Sequence, residues 1–376
     1  MSKLDGWDGW DGWDGWDGWD GWDGWDGWSG GGGGGRGRGG STAGLLRSRE
    51  ALVGPFPLSD KHVGLPRGNG DLPPAHRLDA LDSWSPEVRL RILSQALQEG
   101  IWYERASTDG IRIKLGPVEV ATLHRPTVAT FERQTNRVEL WAVHRAERAP
   151  EIMSQRRMNL AYWDSIVPLN PRKTPNTIEF IQLAMTFASQ VVQRVKHELN
   201  CPRPRAYSSR IQPMLPEPGY AAFPSGHGTE STMLAAVLTA LITPNAGGDK
   251  VQQDAWVAEA TVQLERLAAR IATNRVVAGI HFPVDNLAAR MLGMTLAEFA
   301  IHRAGGSPGW VPSVFKGGDT SLPANSDFDW ADSSHSVRED RNDYMKITLA
   351  DRNGLTAQPV DSALKWLYDR ARAEWQ

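Results

Sequence analysis

Phe223-Pro224-Ser225-Gly226-His227-Gly228 sets a serine, a glycine and an imidazole just ahead of the apolar run Met233 to Ile242, which reads as a helix. Ser225 is suited to cap that helix, and Gly226 lets the backbone come close to a ligand. The free N–H groups and the positive end of the helix dipole would then hold an anion, with His227 able to exchange a proton with it. Two flanking segments add to this. Lys196 to Pro204 carries Lys196 and Arg203, and Asn274 to Asp285 carries Arg275, His281 and Asp285. An apolar helical domain has no use for so many charges in three short segments unless they share a ligand, and the expected one is a tetrahedral or trigonal oxyanion.

The pattern Lys-x6-Arg-Pro, then Pro-Ser-Gly-His, then Arg-x5-His-x3-Asp resembles the three-part signature of the type 2 phosphatidic acid phosphatase and vanadium haloperoxidase superfamily. The motifs span Lys196 to Asp285, and the helical text from about Phe131 to Arg303 is similar to the soluble bacterial members. One position departs: the family's Ser before the third-motif Arg is Asn274 here. The resemblance implies a mainly α fold, a helical bundle of the acid phosphatase/vanadium haloperoxidase type. It also implies roles. Lys196, Arg203 and Arg275 would supply the cationic field, Ser225 and the Gly226 N–H neutral donors, and His281 the in-line nucleophile. Asp285 would fix the tautomer of His281, and His227 would protonate the leaving oxygen and then activate water.

Two reactions fit such a pocket. A phosphatase would form a phosphohistidine on His281 and need no cofactor. A haloperoxidase would hold vanadate with His281 as axial ligand and use peroxide to oxidise halide, with His227 assisting. Pro202, where haloperoxidases often carry a bulky aromatic before the Arg, favours the phosphatase; a helical body without membrane spans favours the haloperoxidase. A third reading, from another class, is a self-assembling scaffold driven by the N-terminal repeat. The substrate expected is a small phosphorylated molecule, or a halide and an organic acceptor.

Asn176 to Leu199 carries the stripe Ile178, Ile181, Met185, Ala188, Val192 and Val195, with Asn176 and Glu179 spaced as a capping box, and it ends beside Lys196. Ala255 to Thr273 delivers Arg275. Pro283 starts a helix running to His302 that carries Asp285 in its first turn. Upstream, Ser85-Pro86-Glu87 opens a helix to Gly100, Ile111 to Leu115 and Val118 to Leu123 suggest a small hairpin after Asp109-Gly110, and helical text runs from about Thr127 to Met153. A last amphipathic helix, Pro359 to Trp375, would turn Val360, Leu364, Leu367, Ala371 and Trp375 to the body or to a second subunit.

The chain of 376 residues therefore divides into an Asp-Gly-Trp repeat (1–28), a Gly-rich linker (29–44), an arm with a helix and hairpin (45–125), a helical catalytic core (126–304) and a C-terminal extension (305–376). The eight Asp-Gly-Trp copies have a three-residue period that suits neither helix nor strand, so the tail is expected to be disordered alone, and its Trp residues offer one route to a homo-oligomer. The net charge of −3 hides −5 over residues 1–40 and +2 over the remainder, too balanced for a nucleic-acid binder. The single cysteine, Cys201, excludes an internal disulfide and reads as a small buried thiol rather than a catalytic one. The N-terminus reads as lacking a signal peptide, and no apolar run approaches the ~18–20 residues of a span. A cytoplasmic protein is expected.

Overall fold

The computed structural model describes residues 75–243, 250–306, 309–318, 327–328, 345–347 and 360–376, and those from Leu78 onward belong to one unit. The Asp-Gly-Trp repeat, the Gly-rich linker, the first part of the arm (45–74) and more than half of the C-terminal extension lie outside the described residues. Helix α1 (Pro86–Gln98) leads into strands β1 (Ile101–Ser107), β2 (Gly110–Leu115) and β3 (Val118–His124). Next come α2 (Val128–Trp141), α3 (Arg145–Ser154), the single turn α4 (Ala161–Asp164), α5 (Pro175–Leu199), α6 (Gly226–Ile242), α7 (Lys250–Val277) and α8 (Pro283–Arg303). Strands β4 (Ser313–Lys316) and β5 (Met345–Ile347) and helix α9 (Ser362–Ala373) follow.

Helix α6 is apolar on every side, and a helix of that composition must sit at a centre. It packs between α5, α7 and α8. Met233, Val237 and Leu241 join the larger core with α5 and α8, while Leu234, Leu238 and Ile242 join a second cluster with Leu264, Ala268 and Ile271 of α7 and Trp163 of α4. On α7, Val262 stays at the surface.

The body is mainly helical but not a pure bundle. The expected hairpin is the middle of a five-stranded sheet in the order β1-β2-β3-β4-β5, in which β3 pairs in parallel with β4 and the other pairs are antiparallel. Ile111, Ile113 and Leu115 turn one face of β2 into the core, and Val120 to Leu123 of β3 are buried without alternation, as suits a strand covered on both faces. The capping box expected at the start of α5 is also absent. Glu179 pairs instead with Arg89, its oxygens 2.8 and 2.5 Å from the guanidinium, and the Glu374 carboxylate, from beyond α9, accepts from the backbone N–H groups of Asn176 and Thr177 at 2.8 Å. The first turn of α5 is thus capped by the far end of the chain. Leu364, Leu367 and Ala371 of α9 are buried within the body, whereas Val360 remains exposed. Among the described residues no helix is long and apolar enough to cross a membrane.

Two glycines bring the charged segments together. Gly279 has φ +79° in the turn after α7, a left-handed conformation that side chains disfavour, and this turn returns the chain to His281. Gly293 lies where α8 crosses α6: a Cβ there would stand 2.5 Å from the Thr229 carbonyl oxygen and 3.1 Å from the Met233 nitrogen. Alanine would gain about 1 kcal/mol of helix propensity, but backbone cannot yield as a side-chain tip does, and overpacking costs about 1–3 kcal/mol. Gly293→Ala is therefore expected to lower stability by up to about 2 kcal/mol in urea unfolding, and a stabilised variant would show that the crossing is looser than described.

Candidate active site

Three segments meet at the head of α6, held mainly by bonds from cations to backbone oxygens. Lys196, in the last turn of α5, donates from Nζ to the carbonyls of Ala221 (2.9 Å) and Ala222 (2.6 Å) on the stretch leading into α6. Arg203 spans the other gap, from Nε to Tyr220 O (3.2 Å) and from Nη1 to Ile280 O (2.9 Å), the residue before His281. The Tyr220 ring lies within 5.5 Å of Lys196 Nζ and 5.3 Å of the Arg203 guanidinium carbon. Backbone bonds complete the frame, Ala222 N to Cys201 O (2.8 Å) and Ser225 N to Asp285 O (3.1 Å). Lys196, Arg203 and Arg275 are 1%, 7% and 1% exposed.

Ser225 caps α6 as expected, its Oγ accepting from Gly228 N at 3.2 Å, which leaves the hydroxyl proton free to donate. The N–H groups of Gly226 and His227 belong to the first turn and have no intrahelical acceptor. A Cβ built on Gly226 would meet nothing within 4 Å, so there is open space beside this residue. Arg203 Nη2 and Arg275 Nε are buried without a protein partner among the described residues.

The two imidazoles are held in opposite senses. His281 Nδ1 lies 2.8 Å from Asp285 Oδ2, which also accepts from Phe282 N at 3.0 Å. The carboxylate can only accept there, so Nδ1 carries the proton and Nε2 keeps its lone pair. Burial and then the cations Arg203 and Lys196 hold the pKa of His281 well below the usual value, which keeps it neutral. Phe131 and Tyr207 pack on Phe282, with ring centroids 4.9 and 5.7 Å away, and Gln134 Oε1 accepts from Val284 N, so the start of α8 is fixed from α2. His227 instead presents Nε2 to the carbonyls of Gln155 (3.0 Å) and Arg156 (3.2 Å), just past α3. A carbonyl oxygen only accepts, so His227 carries its proton on Nε2 and has Nδ1 free for exchange. Burial, then the Arg275 charge, push its pKa down to about 3.

Every residue expected at the site from its sequence is brought into this one region: Lys196, Arg203, Ser225, Gly226, His227, Arg275, His281 and Asp285. Their charges act on one another, since Lys196, Arg203, Arg275 and His227 all depress His281. His197 points to solvent. Cys201 is buried, and burial pushes its thiol up to about 12, which leaves it unreactive. Asn274 donates to Glu151 and Gln155. Two residues had no signal in the sequence. Glu230, one turn into α6, is a carboxyl that burial raises to about 7 and that feels the Lys196 charge; Gln155 sits in ordinary helical text outside the motifs.

Residues 179–306, which contain all eight of these positions, match the model of a family described as the PAP2 superfamily. No curated protein matches the chain.

Between pH 6.5 and about 3 the unfolded chain binds a proton at His227 that the folded protein excludes. The contribution of this side chain to stability is therefore full above 6.5 and is lost as the pH falls toward 3. His227→Gln, neutral throughout, is expected to flatten the fall of the urea midpoint with acidification relative to the unaltered protein. An unchanged slope would contradict the burial assigned to this ring.

Proposed function

We propose that this chain, which belongs to the PAP2 superfamily over residues 179–306, is a phosphoric monoester hydrolase that works through a phosphohistidine. The observation that carries the reading is the 2.8 Å contact of His281 with Asp285 in a field of cations whose own hydrogen bonds go to neutral oxygens. Phosphoryl transfer asks a protein mainly for in-line positioning and for charge around the equatorial oxygens. Lys196, Arg203 and Arg275 supply the charge, and the N–H groups of Gly226 and His227 with the Ser225 hydroxyl add neutral donors.

In this scheme His281 Nε2 attacks phosphorus as the ester P–O bond breaks, and the Asp285 carboxylate stabilises the charge that develops on the ring. The leaving alkoxide takes a proton from His227 Nδ1. His227 takes that proton from solvent at Nδ1 as the substrate binds, because a dianionic phosphate offsets the nearby cations and raises the proton affinity of a ring that burial otherwise keeps neutral. Water then enters, gives its proton to His227 Nδ1 and attacks the phosphohistidine, releasing inorganic phosphate and restoring neutral His281.

Orthovanadate has the shape and charge of phosphate, and the same donors would hold it; when bound it would supply Lewis-acid activation of peroxide. A paired assay separates the two chemistries, using a chromogenic phosphate monoester in one arm and peroxide, bromide and vanadate in the other. Hydrolysis with a phosphohistidine trapped after acid-free quenching is the expected result; bromide oxidation without hydrolysis would transfer the pocket to the haloperoxidase reading. His281→Ala is expected to abolish turnover nearly completely. Asp285→Asn should leave the fold intact and lower kcat by about 10²–10⁴, as for other oriented imidazoles. Full activity in His281→Ala would refute the mechanism in either form.

A further inference from the structure

Helix α3 and the residues just past it lie upstream of the matched interval, yet they touch both His227 and Arg275. Gln155 makes the connection and is 2% exposed. Its backbone oxygen accepts from His227 Nε2 at 3.0 Å. Its side-chain Oε1 accepts from Asn274 Nδ2 at 2.8 Å and lies 3.5 Å from Arg275 Nη2, while its Nε2 donates to Glu151 Oε1 at 3.1 Å. The orientation of the amide is thereby determined, oxygen toward Asn274 and Arg275, nitrogen toward Glu151.

The support behind it is rigid. Arg270 grips Glu151 through Nε at 3.1 Å to both oxygens and through Nη2 at 2.8 Å, and Asn274 Nδ2 adds a bond of 2.8 Å to the same carboxylate. Asn274 reaches two acceptors at once, which a serine hydroxyl with its one proton would not do. Glu151, bonded to Arg270, acts on Arg275 through its charge, and the oxygens that meet the Arg275 guanidinium from this side are the Gln155 amide oxygen and the Ile152 carbonyl, 3.4 Å away.

We propose that Gln155, held by Asn274 and Glu151, is a positioning residue that locks the proton-exchanging His227 and the anion-binding Arg275 into one geometry. The idea rests on the phosphatase reading for its purpose but not for its test. A residue that only filled the core could be shortened without moving either partner. Here, removing the amide would deprive Asn274 and Arg275 of a shared acceptor and loosen the carbonyl that orients His227, so anion affinity and imidazole titration would change together.

The test uses the full chain with orthovanadate as probe, its affinity read by calorimetry, and isotope-labelled histidine NMR to follow the tautomer and titration of His227. Gln155→Ala is expected to weaken vanadate binding about tenfold, the scale of one lost hydrogen bond to a charged group, and to end the single Nε2–H tautomer. Gln155→Glu keeps the length and the acceptors and guards against a misfolded alanine variant. Its added charge beside Arg275 should weaken vanadate binding and move the His227 midpoint to higher pH. A folded variant in which neither quantity moves, or in which only one does, overturns the coupling. If the unaltered protein binds neither vanadate nor phosphate, the phosphatase reading falls, and the His227 titration alone decides whether Gln155 positions that ring.

Discussion

Three cations buried close together repel one another and have lost most of their water, and a protein tolerates this only when something compensates. The usual compensation is a carboxylate for each, but carboxylates would also cancel the field. Here Lys196 and Arg203 donate to backbone carbonyls, and Arg275 to a carbonyl and an amide oxygen. Neutral dipoles satisfy the hydrogen-bonding demand without discharging the site. The Asp285 carboxylate is committed to His281 and Phe282 N, and burial raises its pKa while lowering that of Lys196, the signature of charges held where solvent does not help. On the proposed function, an oxyanion in the space before Gly226 would supply the missing counter-charge.

The cations also act as struts. Lys196 ties α5 to the lead-in of α6, Arg203 ties that lead-in to the residue before His281, and the close crossing at Gly293 holds α6 against α8. Binding and architecture therefore share the same bonds. A substitution such as Arg203→Ala would remove a buried charge and also free Ile280, so on the proposed function its loss of activity would exceed that of the charge alone. Lys at position 203 would keep the charge but could not make both bridging bonds in the planar fork of a guanidinium.

The candidate site was legible in the sequence because its residues are local in each segment: a cap and an imidazole at a helix start, a cation at a helix end, an i, i+4 His–Asp pair at the next start. Helices α5, α6 and α8 were legible from apolar periodicity for the same reason. What escaped was non-local. Strand β4 is four residues long and gains its identity by pairing with β3, far upstream in the chain. Glu179 has the spacing of half a capping box, but Arg89 claims it, and the true cap, Glu374, comes from the opposite end of the described chain. Gln155 carries no motif at all, since its value depends on where α3 ends relative to His227 and Asn274. Strand β1 is a different case, because Ile101-Trp-Tyr has the β-branched and aromatic composition of a strand and could have been read as one.

The central claim is that one oxyanion is what these residues are arranged around, and a crystal structure of the protein soaked with orthovanadate tests it most directly. The account predicts the anion at the head of α6, within hydrogen-bonding distance of Arg203 Nη2, Arg275 Nε and the Gly226 N–H, with vanadium in line with His281 Nε2. Vanadate found only at exposed arginines, with the space before Gly226 left to water, would contradict it.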